Sequence, residues 1–146
     1  MITDKENKMT GQRRNSRQRT LILQTVQRSC SHPSAEEVYR EVQRQIPQIS
    51  LGTVYRNLNL LEESGMIRRI HTGVGSDRFD GITVKHPHFI CSCCKRAFDL
   101  TYSKETVPER LAGMFYTDGG EIREIQVQAF GICRDCMESG QNINCL

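Results

Sequence analysis

The sequence predicts an α+β fold in two parts, an N-terminal winged helix-turn-helix domain followed by a small α/β domain. Three observations carry that prediction. Two capped amphipathic segments lie on either side of the turn Ile46-Pro47-Gln48-Ile49. Two short strand-like runs flank Gly73-Val74-Gly75 just beyond them. Two Cys-x-x-Cys pairs, Cys91 with Cys94 and Cys133 with Cys136, then bracket a second half in which strand alternation replaces helical periodicity.

Ser16 to Cys30 places Leu21, Ile22, Thr25 and Val26 at helical spacing with polar residues between them, which predicts a first helix ending near Ser31-His32-Pro33. Ser34 with Glu37 three residues on is a capping-box pattern, so a second helix opens there and runs through Val38, Tyr39 and Val42 to about Gln45, before Pro47. Ser50 caps a third, Leu51 to Ser64, with Leu51, Val54, Leu58 and Leu61 on one face and Gly65 just past its end. These last two form the helix-turn-helix. Met66 to His71 and Ser76 to Phe79 suit a two-stranded wing. After Gly81 the character changes: His88 to Cys91 and Arg96 to Leu100 read as paired strands, Glu105 to Phe115 as a helix and Glu124 to Ile132 as a further strand. The expected divisions are a flexible basic arm over 1–12, a winged-helix domain over 13–82, a linker over 83–86 and the second domain over 87–146.

A length of 146 residues with 37% apolar content allows two small packed cores. No apolar run approaches the ~20 residues of a membrane span, and the first residues lack the apolar stretch of a secretory signal, so the expectation is a cytoplasmic protein with no membrane partner. The net charge of +3 is unevenly spread: residues 1–85 hold 14 Lys and Arg against 9 Asp and Glu, the remainder 6 against 8. Six of those cations, Lys5, Lys8, Arg13, Arg14, Arg17 and Arg19, fall before residue 20, a basic arm of the kind that meets phosphate or simply stays solvated.

Seven cysteines in a reducing compartment favour metal over disulfides, and the odd number excludes complete pairing. Two knuckles separated by 38 residues can set Cys91, Cys94, Cys133 and Cys136 at the corners of a tetrahedron around Zn²⁺, with no open position, which is the pattern of a structural site. Thiol redox chemistry is the rival, but it needs one such motif at a helix start rather than two. Cys30, Cys93 and Cys145 are read as bystanders, with Cys93 close enough to stand in for Cys94.

A second set of donors contains no thiol. His86 and His88, two apart in an extended chain, point to one face and suit two ligands of one metal. Asp80, Asp99 and His32 would complete three imidazoles and two carboxylates, a set that suits Fe²⁺, Mn²⁺ or Zn²⁺. Taken singly, each of those three is better explained as a surface charge, a turn or a cap, and His71 in the wing as a solvent or phosphate contact.

Together these stretches resemble the ferric uptake regulator family of bacterial metal-dependent repressors. The likeness runs from about Arg13 to Met137 and rests on His32-Pro-Ser-Ala-Glu-Glu-Val-Tyr39, Ser50-Leu-Gly-Thr-Val-Tyr-Arg-Asn-Leu58, Ser76-Asp-Arg-Phe-Asp80, His86-Pro-His-Phe-Ile-Cys91 and Gly131-Ile-Cys133. The resemblance implies a transcription regulator and not an enzyme. It implies a homodimer on double-stranded operator DNA, with the second domain dimerising and a regulatory metal between the domains setting the angle of the two DNA-reading heads. Within the family the pattern most resembles the peroxide-sensing branch, which implies His32, Asp80, His86, His88 and Asp99 as ligands of regulatory Fe²⁺ or Mn²⁺. Iron-sensing members usually place a glutamate where this chain has Asp99, and often a further histidine where it reads Glu124-Ile-Gln126. With iron bound, the resemblance implies peroxide stress sensing through oxidation of His32 or His86, whereas manganese would support DNA binding without that response.

Placement of the third helix in a major groove implies Thr53, Tyr55, Arg56 and Asn59 as DNA-facing residues, with Arg17 and Arg19 of the first helix on the backbone or in a minor groove. An iron-availability repressor of the same family is the alternative; a zinc-responsive one would add a cysteine where Asp80 stands. A zinc-dependent nucleobase deaminase is excluded because it needs His-x-Glu, and here the residues are His86-Pro-His88. A zinc-ribbon module without DNA leaves the basic helix-turn-helix unexplained.

Overall fold

The structure is a computed structural model that describes residues 4–101 and 114–140. The chain divides into two compact units, Met1–Val84 and Lys85–Leu146. The fold is α+β, and no helix among the described residues is long and apolar enough to cross a membrane.

In the first unit α1 spans Asp4–Arg28, α2 Ala35–Gln43 and α3 Leu51–Glu63, followed by β1, Arg68–Ile70, and β2, Arg78–Asp80. The first helix begins at Asp4 rather than Ser16, so the arm expected to be flexible over 1–12 is helical from residue 4. Lys, Glu, Gln, Arg and Met are strong helix formers that need no apolar stripe. Only the second half of this helix carries an apolar stripe, so only that half is legible as a helix in the sequence.

Helix α2 opens with a complete capping box: Glu37 N donates to Ser34 Oγ at 3.3 Å, and Ser34 N to Glu37 Oε2 at 2.8 Å. Ser50 Oγ accepts from Thr53 N at 3.1 Å to cap α3. That helix closes in a Schellman motif, with Met66 N to Leu61 O and Gly65 N to Glu62 O both 2.9 Å, and Gly65 takes the required φ of +71°. The three helices bury Ile22 and Val26, Val38 and Val42, and Val54, Leu58 and Leu61 against Ile67 and Phe79. Strands β1 and β2 pair antiparallel, Arg69 opposite Phe79, as the wing.

In the second unit β3, His88–Cys91, lies between β4, Ala97–Asp99, and β5, Gln128–Gly131. Strand β4 pairs antiparallel to β3 with His88 opposite Asp99, and β5 pairs parallel to it with Cys91 opposite Gly131. Helix α4, Arg134–Glu138, follows directly. It is too short to carry a periodic pattern, and it overlaps the second cysteine pair, starting just after Cys133 and ending two residues beyond Cys136. The helix expected over 105–115 lies largely outside the described residues, as does Cys145. The strand expected over 124–132 is confined to its last residues.

Candidate metal centres and DNA-facing helix

The first cluster consists of thiols. Strand β3 ends at Cys91, and the chain then turns sharply: Lys95 N donates to Cys91 O and Cys91 N to Arg96 O, both at 2.9 Å, while Lys95 takes a left-handed φ of +61°. The turn returns Cys94 to the side of Cys91. Cys133 is the N-cap of α4 and Cys136 lies within that helix, and Cys133 N donates to Cys91 Sγ at 3.3 Å. Sγ separations are 3.9 Å for Cys91 with Cys136 and 3.8 Å for Cys94 with Cys133, and the four sulfurs lie within 4.8 Å of one another. A tetrahedron with Zn–S bonds of ~2.3 Å has edges of about 3.8 Å, so the cluster fits zinc. Burial pushes the Cys91 thiol up, but hydrogen bonds from the backbone N–H groups of Cys133, Cys94 and Cys93 outweigh it and bring it down to about 6. Burial, together with the other three sulfurs, pushes Cys136 up to about 12. Thiols packed this closely lose their last protons readily only when a cation compensates the charge.

The histidines and aspartates are prepared separately in each unit. In the first, Phe79 N donates to Pro33 O at 3.0 Å, and Ser34 and Arg78 form an isolated antiparallel bridge that lays the segment after His32 along β2. His32, at φ +45°, and Asp80 are both buried, with Nδ1 3.6 Å from Oδ1. A non-glycine residue in the left-handed region carries a conformational cost, and such residues concentrate at functional sites. Asp80 Oδ1 also accepts from Ile82 N at 2.7 Å, which fixes the carboxylate. The Glu37 carboxylate, already part of the capping box, receives the buried Arg78 guanidinium and so ties the start of α2 to the strand carrying Asp80.

In the second unit the strand register places His88 opposite Asp99. Asp99 Oδ1 lies 2.8 Å from His86 Nε2 and 3.8 Å from His88 Nε2, and the two imidazole centroids are 4.4 Å apart. These three side chains present two nitrogens and a carboxylate on one patch, a donor set suited to Fe²⁺ or Mn²⁺.

On the candidate DNA-facing surface Arg17, Arg19, Tyr55, Arg56 and Asn59 are exposed. Thr53 is half-buried, with Oγ1 2.9 Å from Ser50 Oγ, so it serves the cap of α3. Arg19 Nε donates to Asn57 Oδ1 at 3.3 Å, linking α1 to α3. Tyr55 OH donates to Glu36 Oε1 at 2.7 Å, and Asn59 Oδ1 accepts from Arg69 Nη2 at 2.6 Å. Glu36, Arg69, Arg78 and Arg96, and the second role of Glu37 as partner of Arg78, are not legible in the sequence, because these contacts join different elements; Arg96, two residues after a cysteine pair, has the one local signal among them.

A winged helix-turn-helix in one unit and a closed four-thiol knuckle in the other define a class, the metal-binding transcriptional regulators, rather than an enzyme. The chain belongs to the ferric uptake regulator family, whose pattern matches residues 10–129. It is 33% identical over 119 residues to the peroxide operon regulator of Bacillus subtilis, covering 82% of this chain and 81% of that one. It is 33% identical over 123 residues to the peroxide-responsive repressor PerR of Staphylococcus epidermidis, covering 84% and 81%. Among solved structures it is similar to the Campylobacter jejuni peroxide stress regulator, with a TM-score of 0.72 and 26% identity over 92% of this chain and 100% of that one.

Proposed function

We propose that this chain is a metal-dependent repressor that binds operator DNA as a homodimer and responds to hydrogen peroxide by oxidation of a histidine ligand. The observation that carries the reading is the donor set of the second unit, in which an aspartate, Asp99, stands in register with His88 and touches His86. The likeness to peroxide-responsive repressors supports the same branch.

Cys91, Cys94, Cys133 and Cys136 would hold a structural Zn²⁺. His32 and Asp80 would join His86, His88 and Asp99 on one regulatory Fe²⁺ or Mn²⁺, since neither unit alone supplies the five or six donors such ions prefer. Bound Fe²⁺ supplies the one-electron chemistry that turns hydrogen peroxide into a local oxidant. The carboxylates of Asp80 and Asp99 orient the neighbouring imidazoles, and the burial of His32 keeps it out of bulk water. Oxygen added to His32 or His86 destroys a ligand, and the coupling between metal and DNA is lost. On the DNA side, Tyr55, Arg56 and Asn59 of α3 are the candidate base and phosphate contacts, with Thr53, Arg17 and Arg19 at the margins.

The test loads the zinc-containing dimer anaerobically with Fe²⁺ or Mn²⁺, adds a small excess of hydrogen peroxide, and follows operator binding and the masses of the peptides containing His32 and His86. Loss of binding by the iron form alone, with one oxygen gained on either peptide, is expected. An iron form that stays bound and unmodified would make the chain an iron-availability repressor instead.

A further inference from the structure

One cation is built into the cysteine knuckle. Arg96 Nε lies 3.3 Å from Cys94 Sγ, and its Nη2 is 3.9 Å from Cys133 Sγ and 2.7 Å from Asp135 Oδ2. The guanidinium carbon also sits 5.4 Å from the centre of the Phe98 ring. Two sulfurs, a carboxylate and an aromatic face thus hold one planar group in place. The sulfur it approaches most closely is the most open of the four: Cys91, Cys133 and Cys136 are buried, and Cys94 is only partly so.

Four thiolates around a divalent ion leave two negative charges uncompensated, and that excess makes a bound thiolate attractive to protons and reactive toward oxidants. A charge-assisted hydrogen bond to sulfur withdraws electron density from it. We propose that Arg96 is a shielding and positioning residue for the zinc knuckle, covering the Cys94 thiolate so that hydrogen peroxide does not open the site. The reaction it slows is attack of the Cys94 sulfur lone pair on one peroxide oxygen. The O–O bond breaks, hydroxide leaves, and sulfur is oxidised to the sulfenic acid; a neighbouring thiolate then displaces a second hydroxide to give a disulfide, and zinc is released. Asp135 holds the guanidinium over the sulfur. This inference rests on the zinc reading of the four cysteines, not on the peroxide-sensing reading of the other donors.

The experiment uses the full-length zinc protein with no regulatory metal, treats it with hydrogen peroxide, and reads zinc release with a chromogenic chelator and remaining thiols by titration. Arg96→Met should lose zinc to peroxide roughly tenfold faster or more, a typical penalty for removing a group that supports a ligand. Arg96→Lys keeps the charge and should recover part of the protection, and Asp135→Asn should fall between wild type and Arg96→Met. Acid-driven zinc loss should shift to higher pH in Arg96→Met. Equal peroxide rates in wild type and Arg96→Met would overturn the proposal. So would an equal acceleration of chelator-driven loss without peroxide in Arg96→Met and Arg96→Lys, the sign of a purely structural role. If Arg96→Met does not fold, the Asp135→Asn and Arg96→Lys rates decide alone, and two rates equal to wild type would overturn it. Wild type isolated without zinc would instead refute the zinc reading.

Discussion

At the scale of single residues, the bond from Tyr55 to Glu36 fixes a side chain proposed above as a DNA contact. The Tyr55 hydroxyl holds the Glu36 carboxyl below its ordinary value of 4.5, and that carboxylate holds the phenol above 10.0. The bond therefore contributes fully above the unfolded value of the carboxyl and is lost as pH falls through the folded one. On the alkaline side it is lost as pH rises through the raised phenol value. Tyr55→Phe should cost under about 1 kcal/mol at neutral pH, because both groups are largely solvated. The Glu36 titration followed by carbon NMR should move back up toward its ordinary value; an unmoved midpoint would mean that the bond is absent in solution. Asn59 carries a different constraint. Arginine only donates, so the atom facing Arg69 must be the amide oxygen, and Asn59 is left with N–H donors for DNA. Asn59 should then read an acceptor such as a purine N7, and not adenine in the two-bond manner. Replacing purines one at a time with 7-deaza analogues should weaken operator binding at one position, whereas removing adenine amino groups should not.

At the scale of elements, the helix-turn-helix was legible because each helix carries its own start and stop signals in consecutive residues. Ser34 with Glu37, Ser50, and Gly65 act locally, and the structure uses each as its spacing implied. The four cysteines were legible for a related reason, since tetrahedral thiolate ligation tolerates few spacings. What could not be read was the bracing between elements. Arg69 on β1 donates to Glu62 and Asn59 of α3 and to Asp77 before β2, and stacks over Phe79. Any exposed position accepts an arginine, so nothing in the sequence marks this one. Arg69→Met should leave α3 helical and make the amides of β1 and β2 exchange faster with deuterium, with a loss of roughly 1–2 kcal/mol. Gly81 is a similar case: a Cβ there would meet Gln27 Cα at 2.7 Å, so the chain after Asp80 packs directly on α1. Gly81→Ala should cost about 1–3 kcal/mol, read as a lower Tm, because backbone must move.

At the scale of the molecule, the two units are stabilised by different means. The first buries a broad aliphatic core from three helices, whereas the buried cluster around the knuckle of the second consists largely of its own cysteines. Stripping zinc with a strong chelator should therefore unfold the second unit and spare the helical signal of the first, which circular dichroism and limited proteolysis would separate. Loss of both signals together would mean that the units fold as one.

Strand β3 is four residues long, yet it carries His88 at one end and Cys91 at the other. So short a strand has little rigidity of its own, and its far end is held by whatever fills the thiol cluster. Metal loading thus acquires an order. If the chain is the peroxide-responsive repressor proposed above, one made during zinc starvation would lack a firm seat for its second ion, and would be unable to report on oxidant however much iron the cell contained. On the proposed function, zinc supply would become a licence for the other signal, granted once at folding.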